Sequence, residues 1–254
     1  VSVRIPLARI PLEIAAGSLA SALAAQEGGA DRVELCENLG EGGCTPSWGT
    51  LAMARDHLRI PLYVLIRPRA GDFLYDALER ETMQRDIEAC VRLGCDGVVI
   101  GALDADGDVD AAACRTLIAA AGALGVTFHR AFDVARDRRA ALDVIAALGC
   151  ERVLTSGGQA GALQGAKDIA DMVEHAAGRI RVMAGAGINA GNVGALLHDS
   201  RADDVHASAS APRASAMRFH NPSLSGLSAD WRQTAVEQVR ALRVAIDEYA
   251  VSRG

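Results

Sequence analysis

The sequence predicts a closed (β/α)8 TIM barrel, built as a single domain over residues 1–254. Three observations predict it. Short apolar runs alternate with longer helical stretches along the whole chain. There are eight such pairs, averaging about 32 residues each, close to what a strand, a helix and the return need. No shift in composition divides the 254 residues, and that length suits one barrel. An open doubly wound sheet is the alternative, but such sheets usually stop at about five to seven strands.

The elements follow in order. LEIA at 12–15 reads as the first strand, and a helix over 18–28 follows with Ser18 placed to cap it. RVELC at 32–36 is the second strand, with a helix from about 47. LYVLIR at 62–67 precedes a helix at 79–93, and GVVIG at 97–101 precedes one at 110–123. VTFH at 126–129 leads to a helix at 137–148, capped by Asp137. RVLTS at 152–156 leads to a helix from about 160 to 177. IRVMA at 180–184 comes before a helix that starts after Asn189, and DVHAS at 204–208 is the eighth strand. A last helix is expected over 230–249, with Val236, Val239, Leu242, Ile246 and Tyr249 on one side at the 3.6 period. Between them, residues 209–229 are rich in Ser, Pro and Gly. They are expected to form a long mobile loop over the barrel mouth, presenting Arg213, Arg218 and His220 to an anionic ligand.

Composition narrows the function classes. Hydrophobic residues make up 50% and charged residues 23%, which describes a folded, core-rich chain. The 49 alanines favour helix and let helices pack closely on a barrel. The net charge of −6 argues against non-specific binding to nucleic acid or to an acidic membrane surface. No run approaches 18 apolar residues, and the opening VSVRIPLARIPLEIAAG lacks the order of a signal peptide, so neither a transmembrane helix nor a signal peptide is expected. The single lysine, Lys167, lies in a helical stretch well past the nearest strand, which disfavours Schiff-base chemistry. The six cysteines, at 36, 44, 90, 95, 114 and 150, form no CxxC and read as reduced packing units.

Chemistry in such a barrel sits at the C-terminal ends of the strands. Side chains along a strand alternate between the barrel axis and the helix layer. Val33 and Leu35 fit the helix side, which turns Glu34 and Cys36 inward. Phe128 fits the outer layer, leaving Thr127 and His129 inside, and Val205 and Ala207 leave His206 and Ser208 inside. Arg67 ends the third strand with Arg69 just beyond, and Glu13 interrupts the apolar first strand. Glu13, Glu34, Arg67, His129 and His206 are therefore the candidate catalytic set. The carboxylates and histidines supply acid–base groups, and Arg67 and Arg69 supply bidentate anchors for a carboxylate or phosphate. The alternative is an ion network that merely ties strand ends together.

Two glycine-rich turns, TSGGQAGA at 155–162 and MAGAGINAGN at 183–192, let backbone N–H groups approach an anion. With Arg69 and Ser208, they make Ser156, Gly157, Gly185 and Gly187 candidate anion-binding residues for a small anionic ligand. Tight βα turns are the plainer reading of both. Glu13, Glu34, His129 and His206 also suit a divalent metal if they converge, whereas copper(I) prefers sulfur, which here means Cys36 and Cys44.

Several strings together resemble the CutC copper homeostasis family. They are GGADRVELCENLGEGGCTPSWG at 28–49, IRPRAGDFLY at 66–75, DGVVIGALDADGDVD at 96–110, VTFHRAFDVARD at 126–137, LTSGGQ at 154–159, MAGAGIN at 183–189 and DVHASA at 204–209. They span nearly the whole chain in the family order. The resemblance implies a cytosolic TIM barrel, often a homodimer, associated with copper tolerance and intracellular copper trafficking. No accepted enzymatic reaction defines the family, so a small-molecule enzyme, a metabolite sensor and a scaffold stand beside copper binding. Cys36 falls at the family's ELC cysteine. Cys44 occupies a slot that is usually aliphatic and is not carried over as a family ligand. Ala184 and Ala186 stand where the family more often has glycine.

Overall fold

In a computed structural model, which describes residues 9–219, 221, 223–224 and 229–252, eight parallel strands close into a barrel. They are β1 (Leu12–Ala16), β2 (Arg32–Leu35), β3 (Leu62–Leu65), β4 (Gly97–Ile100), β5 (Gly125–Phe128), β6 (Arg152–Thr155), β7 (Arg181–Gly185) and β8 (Asp204–Ala207). β1 pairs with β2 on one side and β8 on the other, with Glu13 opposite His206. Seven helices follow the first seven strands: α1 (Leu19–Gly28), α2 (Trp48–His57), α3 (Ala77–Leu93), α4 (Ala111–Ala121), α5 (Arg138–Ala147), α6 (Ala166–Ala176) and α7 (Val193–Ser200). No helix among the described residues is long and apolar enough to cross a membrane.

Local chemistry sets the helix starts. Ser18 Oγ accepts the Ser21 amide at 3.1 Å, and Asp137 accepts the amides of Arg139 and Ala140. Asp76 and Glu79 form a reciprocal capping box on α3. Strand alternation then sorts the side chains. Val33, Leu35, Val64, Ile100, Phe128 and Val205 join the main core between strands and helices. Each such buried side chain stabilises by about 1.5–3 kcal/mol. Cys36, Tyr63, Leu65 and Val99 form a separate small cluster inside the barrel.

Two boundaries differ from expectation. The helix expected from about 160 begins at Ala166, because the preceding turn folds back on itself. A Cβ at Gly157 would stand 2.4 Å from the Gly165 carbonyl oxygen, and one at Gly165 would stand 2.0 Å from that of Ser156, so both approaches need glycine. The helix expected over 230–249 begins only at Val236, as α8 (Val236–Ser252). Trp231–Thr234 is instead a strand, β10, pairing antiparallel with β9 (Ser210–Arg213). The region expected as a loop at 209–229 therefore opens with a strand, and a two-stranded arm leads into α8. His220 lies outside the described residues.

Candidate functional site

The polar interior has two levels. Near the N-terminal ends of the strands, Tyr63 lies between two guanidinium groups, Arg32 at 4.7 Å and Arg152 at 5.5 Å from its ring centroid. Its hydroxyl donates to Glu151 at 2.5 Å. Gly97 and Gly125 make room for that ring: a Cβ on either would stand 2.2 Å from a Tyr63 atom. Arg152 pairs with Glu151 and with Asp204, which Arg181 also holds at 2.5 Å.

Toward the C-terminal ends, the expected residues converge. Glu13 is fully buried and accepts from Arg32 on one oxygen and from His206 Nδ1, at 2.7 Å, on the other. His206 Nε2 then faces Glu34 at 3.5 Å. Burial opposes ionisation of Glu13, but Arg32 and His206 outweigh it and hold the carboxyl down at about 2. Among the described residues Glu34 forms no hydrogen bond to an arginine, and its one ion pair is with His206 Nε2 at 3.5 Å. Burial and the neighbouring Glu13 charge outweigh His206 and Arg32, raising its carboxyl to about 7. Burial disfavours the charge on His206, but the two carboxylates prevail and raise it above the usual histidine range. Glu13 is thus held as the anion between Arg32 and His206. Glu34 is the carboxyl that titrates near neutrality.

The opposite wall belongs to the loops after β2, β3 and β5. Arg67 is buried, and its Nη atoms donate to the carbonyls of Glu41, Gly43 and Gly71 at 2.7–2.9 Å. Those carbonyls satisfy N–H groups but do not cancel a charge. No carboxylate among the described residues pairs with Arg67, and its Nε has no partner. His129 lies beside it. Burial, with the Arg67 charge, lowers His129 to about 3, so the ring is neutral at physiological pH. Its Nδ1 accepts the Ala131 amide at 3.1 Å, which places the proton on Nε2, and that buried N–H also lacks a partner. Between the walls is a cavity of about 90 Å³, lined by Glu34, Cys36, Arg67, Phe73, His129, Arg130 and His206 among others.

Other expected residues fall elsewhere. Arg69 is not among the cavity's described lining residues: Glu79 at 2.5 Å, Asp72 at 3.0 Å and three loop carbonyls hold its guanidinium. The turn that holds Ser156 is occupied by the chain's own Asp133, while the Gly157 amide donates to Thr155 Oγ1. The Asp133 carboxylate accepts from Thr155 Oγ1, from Ser156 N and Oγ, and from the Gly158 amide. Gly185 sits against Leu154 and His206 with no room for a side chain. Gly187 and Ser208 line a second depression. Ala186 holds φ at +88°, a conformation that costs a residue with a Cβ. All six cysteines are free. Cys36 lines the cavity with its thiol raised well above the usual range by burial, while Cys44 bridges Glu37 through its backbone.

Sequence reasoning missed Arg32, Arg130 and Asp133. Arg32 clamps Glu13. Arg130 reaches the cavity edge, held by Asp133 at 2.7 Å and donating to Ser156 Oγ at 2.9 Å. The adjacency of Arg130 to His129 in VTFHRAFD is the signal that pointed to it.

Fold and site together define a parallel (β/α)8 barrel protein with a buried Glu–His–Glu cluster on strands β1, β2 and β8. Glu13, Glu34 and His206 offer ligand atoms all within 4.8 Å of one another, so the cluster can hold a metal ion. The chain belongs to the CutC family, whose model matches residues 10–211. It is 57% identical over 231 residues to the family protein CutC of Xanthomonas campestris pv. campestris (strain B100), covering 91% of this chain and 96% of that one. It is 44% identical over 243 residues to that of Pasteurella multocida (strain Pm70), covering 94% and 99%. A solved CutC structure from Streptococcus agalactiae matches with a TM-score of 0.75 at 34% identity, covering 78% of this chain and 98% of that one. Phosphoribosyl anthranilate isomerase from Thermotoga maritima shares the fold alone, at TM-score 0.58 and 13% identity over 94% of this chain and 99% of that one.

Proposed function

We propose that this protein binds a small anionic molecule in the central cavity and exchanges a proton with it through Glu34 and His206. One observation carries the reading: Arg67 is a buried cation with no acidic partner among the described residues, beside a buried His129 N–H that also lacks one. An uncompensated buried charge is costly, and a carboxylate-sized ligand supplies the missing counter-charge. Arg67 and the His129 N–H seat the anion. Glu34, titrating near pH 7, takes or returns the proton. Glu13 and Arg32 hold His206 in place and fix which ring nitrogen faces Glu34. The test is a thermal-shift screen of small carboxylates and phosphorylated acids on the parent and on Arg67→Ala. The variant should lose about 2–5 kcal/mol of binding. Equal shifts in both proteins would reject the reading.

A divalent metal is the second reading, favoured by the His206 geometry. A metal-binding histidine usually donates its other ring N–H to a carboxylate, as His206 does to Glu13. Glu34 and His206 Nε2 would hold the ion, which would supply Lewis acidity beside the cavity. Zinc or manganese titration of Glu34→Gln should show weakened binding against the parent.

The name of the Streptococcus agalactiae relative ties that protein to copper homeostasis. Copper(I) prefers thiolate and thioether ligands. Cys36 is the one sulfur among the cavity's described lining residues, and burial keeps its thiol protonated, so the donor set fits copper(I) poorly. The copper account requires the parent to compete with a micromolar copper(I) chelator and Cys36→Ser to fail. A cytoplasmic homodimer is carried forward on the family resemblance, and light scattering over a concentration series tests the dimer.

A further inference from the structure

We propose that the depression between the β7–α7 turn and the start of β9 binds a phosphate-type dianion. It has a volume of about 220 Å³ and lies outside the central cavity. Gly187, Ser208, Ser210 and Arg232 line it, and none of its described lining residues is acidic. In barrels of this architecture the loops after strands seven and eight, against a following helix, are a common position for phosphate.

Three features build the site. Pairing of β10 with β9 carries Arg232 over Ser210, where its Nε donates to Ser210 Oγ at 3.1 Å and its Nη2 to the Ser210 carbonyl at 2.7 Å. That anchors the guanidinium while no carboxylate among the described residues forms an ion pair with it. Ser208 Oγ donates to Ser210 Oγ at 3.4 Å, a long bond that a phosphate oxygen can displace. Gly187, at φ +71°, would meet nothing within 4 Å of an added Cβ, so its backbone is open to a ligand. Asn192 fixes this turn by donating to the Gly187 carbonyl and accepting the Asn189 amide.

The contrast with the β6 turn sharpens the argument. There, Asp133 occupies the glycine turn and leaves no place for an external anion. The β7 turn receives no carboxylate among the described residues. A phosphate there would accept from Arg232 and from the hydroxyls of Ser208 and Ser210. Ser208 lies two residues beyond His206, so the two pockets flank one strand end. A small phosphomonoester could then place its phosphate here and its reacting end at Glu34 and His206. That joint assignment rests on the proposed function, but the phosphate site itself does not.

Isothermal titration with inorganic phosphate, at ionic strength held constant with chloride, tests the site. The parent should bind saturably. Arg232→Gln should weaken binding about tenfold or more, the scale of one charged hydrogen-bonding group. Arg232→Lys should recover part of that loss, and Arg67→Ala should bind as the parent does. Loss in Arg67→Ala with Arg232→Gln unaffected would place phosphate in the central cavity, overturning this site while leaving the proposed function standing. No saturable binding by the parent, or equal binding by all variants, would also overturn it. If Arg232→Gln disturbs the arm, the parent alone decides: phosphate must shift the amide resonances of Gly187 and Ser208, and unmoved resonances end the proposal.

Discussion

The two ends of the barrel interior use similar residues to opposite effect. At the N-terminal end, Arg152, Arg181, Asp204, Glu151 and Tyr63 are each bonded to at least one of the others. At the C-terminal end, His206 is matched by Glu13, but Arg67 Nε and His129 Nε2 have no partner among the described residues. Burial is similar, because Arg67, His129, Arg152 and Asp204 are all buried. The difference lies in completeness. A closed set of charges holds strands together, whereas an open set leaves binding capacity for something else.

Mutation should separate the ends most sharply through stability. Asp204→Ala leaves Arg152 and Arg181 without their shared carboxylate, and should cost about 3–5 kcal/mol in a denaturation experiment. Arg67→Met removes a cation that no acid among the described residues balances, and should cost less than about 2 kcal/mol while abolishing anion-induced shifts. Equal destabilisation would erase the contrast.

Packing offers a second comparison. A Cβ at Gly97 would press into Tyr63 at 2.2 Å, and one at Gly101 into His129 at 2.5 Å. Gly97→Ala should destabilise by about 1–3 kcal/mol without touching the cavity. Gly101→Ala should cost a similar amount and also weaken anion binding, which thermal shifts would report.

Acidity gives a third. Glu34 is raised from 4.5 to about 7, so its contribution is complete below pH 4.5 and lost as pH rises through 7. His129 is lowered from 6.5 to about 3, so its contribution is present above pH 6.5 and lost as pH falls toward 3. Across the shared interval the two slopes oppose. Glu34→Gln should therefore expose a loss of stability on acidification below pH 6.5, at up to about 1.4 kcal/mol per pH unit. His129→Gln should expose the reverse, a loss as pH rises from 4.5 to 7. Raised His206 acts in the same sense as Glu34. Denaturant midpoints across pH would show parallel curves if neither group is linked to folding.

The smallest effect concerns Ala186, held at φ +88° beside the mouth. Ala186→Gly should stabilise by up to about 1 kcal/mol, because relieved strain exceeds the added freedom of the unfolded chain. A lowered midpoint would show that the Cβ makes a contact worth more than the strain.

Much of this was legible in the sequence, for local reasons. Alternation in RVELC and DVHAS sorted Glu34, Cys36 and His206 inward, and side-chain oxygens at Ser18 and Asp137 marked helix starts. What was not legible depends on distant partners. Arg32 and Arg152 sit early in their strands, where nothing local reveals that they meet Glu13 and Asp204. Ser156 and Gly157 read as an empty anion turn because Asp133, 23 residues earlier than Ser156, fills it only after folding. β9 and β10 carry Ser, Pro, Arg and Gln in place of alternating apolar residues, so their pairing left no periodic trace.

The bond between Glu13 and His206 joins residues 193 positions apart, across the seam where β1 meets β8. During synthesis, the first strand emerges long before its last neighbour exists. Until β8 arrives, Glu13 lacks its imidazole and the barrel keeps two raw edges. Completing the ring and completing the site are therefore one event, with the largest loop-closure entropy in the strand ladder behind it. A nascent chain has no half-formed version of this centre with which to capture its ligand early, so ligand binding would favour only chains that have already closed the ring.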